Sequence, residues 1–238
     1  SYPHLSRTLT IILGVIISVQ AIGDVVINEI ATTHVPRNLR WDENEQAYSG
    51  SGPAWWSASF DDSRWLSGNL PMGHSLGSIA TDLGSELRGI SPSFYIRKNF
   101  EVSTSEAASS APMVLRINYN DGFIAWINGV EVARGNMGAV KAHIYHDQLS
   151  YRVSTLGTNT ESITLPIASE LLNQGKNVIA VQVNNLTLTG NMRLEMSLRI
   201  DEPSGIDPQL FASGGSVTYL PGLREPRAGL GGPVTSAE

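Results

Sequence analysis

The sequence predicts an all-β protein with the fold of an antiparallel β-sandwich. Short apolar runs recur along the chain and are separated by turn-forming residues, as is typical of sandwich strands. No segment keeps a helical period over the length of a typical helix, and strands do not alternate with helices as they do around a parallel sheet. The predicted strands, in chain order, are residues 94–102, 113–119, 123–127, 130–133, 162–166, 177–184 and 192–200.

The composition is that of a globular protein, and it excludes several classes of site. The chain has 238 residues, of which 41% are hydrophobic, enough for one large or two small domains. Its formal net charge of -6 argues against nucleic-acid binding, which normally needs a basic face. The absence of cysteine excludes disulfides, zinc sites built on thiolates and a cysteine nucleophile.

The N-terminus has the layout of a secretory signal peptide over residues 1–23. Arg7 supplies the positive charge, residues 9–19 form an apolar stretch that is short for a membrane span, and residues 21–23 have the small-x-small pattern of a cleavage site. We therefore expect a mature chain that begins at Asp24, is secreted or attached to the cell surface, and keeps no stable membrane span. An N-terminal anchor or a buried strand is the alternative.

The rest of the chain divides into three parts by composition. Residues 24–49 predict a short strand followed by a linker, and residues 50–201 contain the strands of the sandwich. Residues 202–238 are rich in Gly, Pro and Ser, which predicts a linker or the start of a truncated further domain. Within the sandwich, short helical turns are expected near residues 81–87 and 167–173.

The strongest local signal lies in residues 119–136, which read YNDGFIAWINGVEVARGN. Asn-Gly tolerates the two positive φ angles of a type I′ turn, so Asn128-Gly129 predicts a hairpin between the strands on either side of it. Asp121-Gly122 is a second turn signal, and we expect it to reverse the chain after the preceding strand. Together the two turns predict a three-stranded meander whose middle strand is apolar on both faces.

Six short segments follow one another between residues 50 and 200: FDDSRW, YIRKNF, DGF, WINGVEV, LLNQGKNVIAVQVNN and LEMSLRI. In this order they resemble the galactose-binding-like jelly-roll domains that occur beside glycoside hydrolase catalytic domains and in large secreted bacterial proteins. The resemblance implies a non-catalytic module that binds a glycan or another surface polysaccharide, attached to other domains of the same polypeptide. It also leaves room for one structural calcium ion, whose ligands it does not assign. Residues 24–30, DVVINEI, are similar to the opening strand of a lamin-tail domain.

Six polar or aromatic residues, most of them near strand ends, are the candidates for contact with a sugar. Asparagine and aspartate side chains can bond sugar hydroxyls, and the face of a tryptophan packs on the apolar CH face of a pyranose ring. The alternative for Trp126 is burial in the core, for Asn184 a cap at the end of its strand, and for His146 a polar loop over the edge of the sandwich. The candidates are Asn118, Asn120, Asp121, Trp126, His146 and Asn184.

Residues 73–77, GHSLG, fit the G-x-S-x-G pattern of a hydrolase nucleophile elbow. The elbow needs a buried strand that leads into the serine and a helix that leads out of it. Gly68 and Pro71 make the upstream segment a poor central strand, so we interpret GHSLG as a loop and assign no catalytic residue. A secreted serine esterase that uses Ser75 is one alternative function. A structural or protein-interaction spacer without a small ligand is the other.

Two clusters raise the question of a metal ion. Asp61 and Asp62 supply two adjacent carboxylates, whereas calcium takes roughly six to eight oxygen ligands. We expect these side chains to bond their own turn and to direct Phe60 and Trp65 into the core. The segment HIYHD, residues 143–147, has two histidines without a helical pattern, which favours a polar loop over a transition-metal site.

Overall fold

The computed structural model describes residues 40–42, 47–49 and 53–226. The first two ranges are the strands β1 (Arg40–Asp42) and β2 (Ala47–Ser49), which pair with each other. The predicted signal peptide and the segment similar to a lamin-tail domain, within residues 1–30, lie outside the described residues. Within the described part of the chain, no helix is long and apolar enough to cross a membrane.

Residues 53–226 fold into two sheets that pack face to face, which confirms the predicted antiparallel β-sandwich. One-turn helices connect some of the strands: α1 (Gly84–Leu87), α2 (Thr104–Ala107) and α3 (Ala168–Leu171). The strands are β3 (Leu66–Asn69), β4 (Met72–His74), β5 (Thr81–Asp82), β6 (Ser93–Val102), β7 (Pro112–Asn120), β8 (Gly122–Ile127), β9 (Val130–Gly135), β10 (Glu161–Ile167), β11 (Gly175–Asn184), β12 (Met192–Ile200), β13 (Gln209–Phe211) and β14 (Ser216–Pro221).

Sheet I has the strand order β10-β7-β12-β4-β5, with β13 beside β12, and sheet II has the order β3-β14-β6-β11-β8-β9. The core lies between them, because alternate side chains of each strand point inward. In β12, Leu194, Met196 and Leu198 are buried in this core, and the polar residues between them lie on the outer face. Every residue of β8 is buried, as expected of a central strand that is covered on both faces.

The Asn128-Gly129 hairpin forms as predicted, but the three-stranded meander does not. Both turn residues have positive φ angles, 50° and 95°, and β8 pairs with β9 across them. At Asp121, however, the chain leaves β7 in sheet I and enters β8 in sheet II. β11 occupies the edge of β8, so that Gly122 faces Asn184 rather than a residue of β7. The Asp-Gly pair marks a turn correctly, but the pairing beyond it depends on strands far along the chain.

Residues beyond 201 belong to both sheets, so the sandwich extends past the end that the sequence analysis placed there. β13 pairs with β12 in sheet I, and β14 lies between β3 and β6 in sheet II. The glycines that predicted a linker form the turn between these two strands, where Gly214 and Gly215 have φ angles of 90° and 74°. The glycine-rich composition therefore did not predict β13 and β14, whose pairing partners lie earlier in the sequence.

Part of the outer face of sheet II, around Tyr95, Arg97 and Trp126, is buried as well, beneath residues 53–65. Trp55 contacts Tyr95 and Trp126 edge-on, with ring centroids 4.9 and 5.2 Å apart. Trp56 stacks on Trp126 with a centroid separation of 5.1 Å. Aromatic pairs of this kind contribute about 0.5–1.5 kcal/mol beyond their buried area. The tryptophan-rich segment thus forms a third layer over this part of sheet II.

Arg97 on β6 holds this third layer in place. Its guanidinium donates to Oδ2 of Asp62 at 3.0 Å and to the backbone carbonyls of Ser57 and Phe60 at 2.9 and 3.4 Å. Thr218 on β14 donates to the same carboxylate oxygen at 2.7 Å. Burial lowers the pKa of Arg97, and the Asp62 carboxylate offsets part of that effect. The sequence analysis expected Asp62 to bond only its own turn, whereas it joins that turn to two strands of sheet II.

We expect Arg97→Ala to lower the free energy of unfolding by about 3–5 kcal/mol, because it leaves the Asp62 carboxylate without its partner at a largely buried position. Urea denaturation followed by tryptophan fluorescence measures the change. Asn99→Ala, at an exposed position of the same strand, is the matched control and should cost less than about 0.5 kcal/mol. Equal losses in the two variants would contradict the anchoring role of Arg97.

Candidate functional site

Asp121, a predicted sugar-binding residue, is buried and engaged by the protein's own backbone. Its Oδ1 accepts a hydrogen bond from the amide of Ser154 at 2.9 Å, and its Oδ2 accepts one from the amide of Leu186 at 3.0 Å. The preceding residue, Asn120, is half-buried and lies opposite Arg193 at the end of β7. Asp121 therefore fixes two loops at this end of the sandwich and presents little surface to a ligand.

Asn118 and Asn184 bond the protein's own loops, which for Asn184 is close to the capping role given as the alternative. Both side chains are fully buried. The amide of Asn118 donates to the carbonyls of Gly157 and Asn159, and the amide of Asn184 donates to the carbonyl of Gln148 at 2.6 Å. These amides hold loops against the ends of β7 and β11, where a ligand was expected.

Trp126 is separated from Asp121 and covered by other aromatic rings. It is 7% exposed, and its ring lies against Trp56 and Trp55 in the third layer. It is also near the far end of β8 from Asp121. The structure thus does not bring the predicted stacking platform and the predicted carboxylate into one open concavity.

His146 lies in a loop that Glu225 fastens to the C-terminal end of the described chain. Oε1 of Glu225 accepts from the backbone amide of His146 at 2.6 Å and lies 3.2 Å from Nδ1 of its ring. Burial by itself lowers the pKa of His146, but the hydrogen bond and charge of Glu225 outweigh it and raise this pKa above 6.5. The partner could not be read from the sequence, because Glu225 stands in a region that predicted a linker.

Because the folded state raises the pKa of His146, this pair stabilises the fold fully below pH 6.5, and its contribution is lost as the pH rises through the folded-state pKa. We expect the difference in unfolding free energy between the wild type and His146→Asn to shrink on going from mildly acidic to mildly alkaline pH. Chemical denaturation at a series of pH values measures it.

His143→Asn is the matched control for this titration, since burial lowers the pKa of His143 in spite of the opposing charge of Glu225. Its contribution must therefore have the opposite pH dependence and grow as the pH rises. A pH-independent difference for His146→Asn would show that Glu225 does not set the charge of His146.

The GHSLG segment is a turn built around Arg193. Gly73 and His74 belong to β4, a short buried strand between β12 and β5, so the expectation of a loop is wrong for these two residues. Arg193 on β12 donates to the carbonyls of Leu76 and Ser78 at 3.0 and 2.7 Å. A Cβ atom at Gly73 would lie 2.1 Å from a backbone oxygen of β12. The close packing of β4 on β12 explains the glycine at position 73, and the hydrogen bonds from Arg193 explain the shape of the turn that follows.

Ser75 has only part of the environment of a catalytic serine. It is exposed, its φ is 62°, and its Oγ lies 3.3 Å from Nδ1 of His74. Within the described chain, the other ring nitrogen of His74 has no hydrogen-bond partner, whereas the base of a hydrolase triad is oriented by a third group. The chain continues into β5 rather than into a helix. The strand of a nucleophile elbow is therefore present without its helix.

Sheet I presents a polar outer face, defined here by Arg116, Ser162, Glu195 and Ser197. Arg116 on β7 lies directly opposite Ser162 on β10 and Ser197 on β12. Glu195 is opposite Asn118, two residues along the same strands. Arg116 and Ser162 are exposed, and Glu195 and Ser197 are half-buried. These side chains can therefore meet a ligand that approaches the sheet face.

A shallow pocket of about 140 Å³ opens on this polar face. Thr160 forms one wall, where its hydroxyl accepts a hydrogen bond from Nη2 of Arg116 at 3.1 Å. Ser213, from the turn between β13 and β14, forms the other wall and donates to Oε1 of Glu195 at 2.5 Å. The lining residues are Arg116, Thr160, Glu195, Met196, Ser197 and Ser213.

Glu195 is held as an ionised hydrogen-bond acceptor in the pocket. Burial raises the pKa of Glu195, but the hydrogen bonds from Ser213 and Arg193 and the charge of Arg193 lower it below its usual value. Arg193 donates to Oε2 at 2.6 Å, so the guanidinium that holds the GHSLG turn also orients this carboxylate. A carboxylate has about four lone-pair positions, of which these two partners use two.

The sequence analysis missed the pocket residues, although a signal for them exists. In β12 the polar residues Arg193, Glu195, Ser197 and Arg199 alternate with apolar ones, which indicates a strand with one solvent-facing side. Alternation identifies the exposed face but not the pocket, because the walls come from loops. Among the described residues, no three His, Asp or Glu side chains are grouped as metal ligands, so no ligands are assigned to a calcium ion.

No family model matches the sequence, and no curated protein matches it. Among solved structures, the β-glucuronidase of Bacteroides uniformis matches 73% of this chain and 16% of that chain, with 17% identity and a TM-score of 0.37. An α-L-rhamnosidase from Aspergillus terreus matches 65% and 16%, with 17% identity and a TM-score of 0.34. A lectin from Pleurotus ostreatus in complex with GalNAc matches 64% and 36%, with 13% identity and a TM-score of 0.34. The chain spans well under two thirds of each of these proteins.

Proposed function

We propose that this chain is a non-catalytic module of a secreted or cell-surface protein that binds a carbohydrate or glycoconjugate on the polar face of sheet I. The observation that carries the proposal is a pocket whose lining includes the guanidinium of Arg116, the carboxylate of Glu195 and the hydroxyls of Thr160, Ser197 and Ser213. A sugar hydroxyl both donates and accepts, so it can bond a carboxylate and a guanidinium at once.

The chemistry of the pocket favours a polyhydroxylated ligand over an apolar one. Most small-molecule sites are lined mainly by apolar and aromatic side chains. Here every lining residue except Met196 is charged or carries a hydroxyl, and Met196 is only 1% exposed. The net charge of -6 further disfavours a nucleic acid.

The binding should be weak for a single sugar, because the pocket is small and open to solvent. Exposed hydrogen bonds exchange with water and each contributes about 0.5–1.5 kcal/mol net. A dissociation constant near 1 mM corresponds to only about 4 kcal/mol. Such a module works best beside other domains of the same polypeptide, because linkage raises the effective concentration of the glycan.

Two features of the described residues argue against the two alternative functions, a serine esterase and a spacer without a ligand. An esterase would need a group that orients His74, and the ring nitrogen that would bond it has no partner in the described chain. A spacer without a ligand would not require Arg193 and Ser213 to hold a carboxylate at the rim of an open pocket. We therefore prefer a binding role to either alternative.

We expect Glu195→Gln to weaken glycan binding by at least about tenfold, since hydrogen bonds to a charged acceptor contribute roughly 1.5–3 kcal/mol. A glycan array identifies a ligand, and isothermal titration or ¹H–¹⁵N NMR titration measures its affinity. Glu101→Gln, at an exposed carboxylate on β6 in the other sheet, changes the net charge equally and is the matched control. Absence of binding to every glycan, or equal affinity in the two variants, would contradict the proposal.

A further inference from the structure

Arg116 differs from the other two arginines of sheet I's outer face in that its charge is not neutralised by a carboxylate. Arg193 pairs with Glu195, and Arg199 pairs with Asp201 and Asp207. Among the ion pairs of the described residues none includes Arg116, and its side chain bonds the hydroxyl of Thr160. An exposed, unneutralised guanidinium therefore lines the pocket.

The neighbours of Arg116 position its guanidinium without using up its donors. A guanidinium carries five N–H donors in a planar fork, and the hydroxyl of Thr160 accepts from Nη2. The remaining donors are available to a ligand at the pocket. A planar fork matches the two oxygens of a carboxylate in a bidentate pair, which is stronger and more specific than a bond to a neutral hydroxyl.

From this geometry we infer that the ligand is an acidic sugar, a uronic acid residue whose carboxylate binds Arg116; the inference rests on the proposed function. The neighbouring Glu195 repels an anion, so the ligand carboxylate is directed to Arg116 and away from Glu195. The hydroxyls of the same ring are then left to Glu195, which accepts from them. Recognition is thus divided between one cation and one anion on adjacent strands, β7 and β12.

The single negative charge of a uronic acid matches the charge of the pocket better than that of a more highly charged anion. Glu195 lines the same pocket as Arg116 and is paired to Arg193, so the three side chains together carry a single net positive charge. A carboxylate neutralises that charge, whereas a doubly charged phosphate would leave an excess next to Glu195. A sugar sulfate also carries one charge and can accept two parallel N–H bonds from the fork, so titration with a sulfated trisaccharide has to distinguish it from the carboxylate.

Titration with a matched pair of ligands tests the inference. The probes are a galacturonic acid trisaccharide and its methyl ester, which has the same rings without the charge. The wild type should bind the acid at least tenfold more tightly than the ester. Arg116→Gln should weaken the binding of the acid and remove that preference, so that acid and ester bind this variant within about twofold of each other. Arg152→Gln, at an exposed arginine in another loop, changes the net charge equally and should keep the preference.

Each other outcome has a distinct meaning. If acid and ester bind equally to the wild type, the inference is wrong and the proposed function stands; this comparison needs no variant and does not depend on folding of Arg116→Gln. If neither probe nor any other glycan binds, both fail. If a sulfated trisaccharide binds more tightly than the acid and loses affinity in Arg116→Gln, Arg116 binds an anion but the assignment to a carboxylate is overturned.

Discussion

The buried pair of Arg97 and Asp62 is the interaction on which the two-sided architecture of this sandwich depends. It lies on the outer face of sheet II, where a guanidinium could remain only if its donors were satisfied. The carbonyls of Ser57 and Phe60 complete that requirement, and in doing so they fix the path of residues 53–65. The tryptophans of this segment then cover the sheet. A buried ion pair contributes little net stability against an apolar replacement, but it specifies one arrangement of the segment.

The consequence for function is that the two outer faces of the sandwich differ. On sheet II, Trp126 and Tyr95 are covered by aromatic rings and cannot stack on a sugar. On sheet I, the corresponding positions of β7 and β12 carry Arg116, Glu195 and Ser197 beside a pocket. Arg193 links this face to the GHSLG turn, because one guanidinium binds both the turn and the Glu195 carboxylate. The part of the sequence that looked most like an active site thus supports the rim of a binding face.

Much of the fold, and little of the site, follows from the sequence. Period-two alternation and the Asn128-Gly129 turn predict β6 to β12 closely, because these signals depend on neighbours in the chain. The switch between sheets at Asp121 and the strands β13 and β14 depend on distant partners, which local patterns do not contain. The burial of three candidate sugar-binding residues could not be predicted for a related reason. Asn118, Asp121 and Asn184 have the right side chains for a sugar, but the loops that bury them are themselves unpredictable from composition.

The central claim is that the polar face of sheet I, rather than the loop end or the aromatic layer, receives the ligand. The crystal structure of the protein with a bound galacturonic acid trisaccharide tests it most directly. We expect a sugar carboxylate about 2.7–2.9 Å from the guanidinium nitrogens of Arg116, with ring hydroxyls that donate to the carboxylate of Glu195. A trisaccharide bound beside Asp121 and His146, or stacked on Trp126 after displacement of residues 53–65, would contradict it.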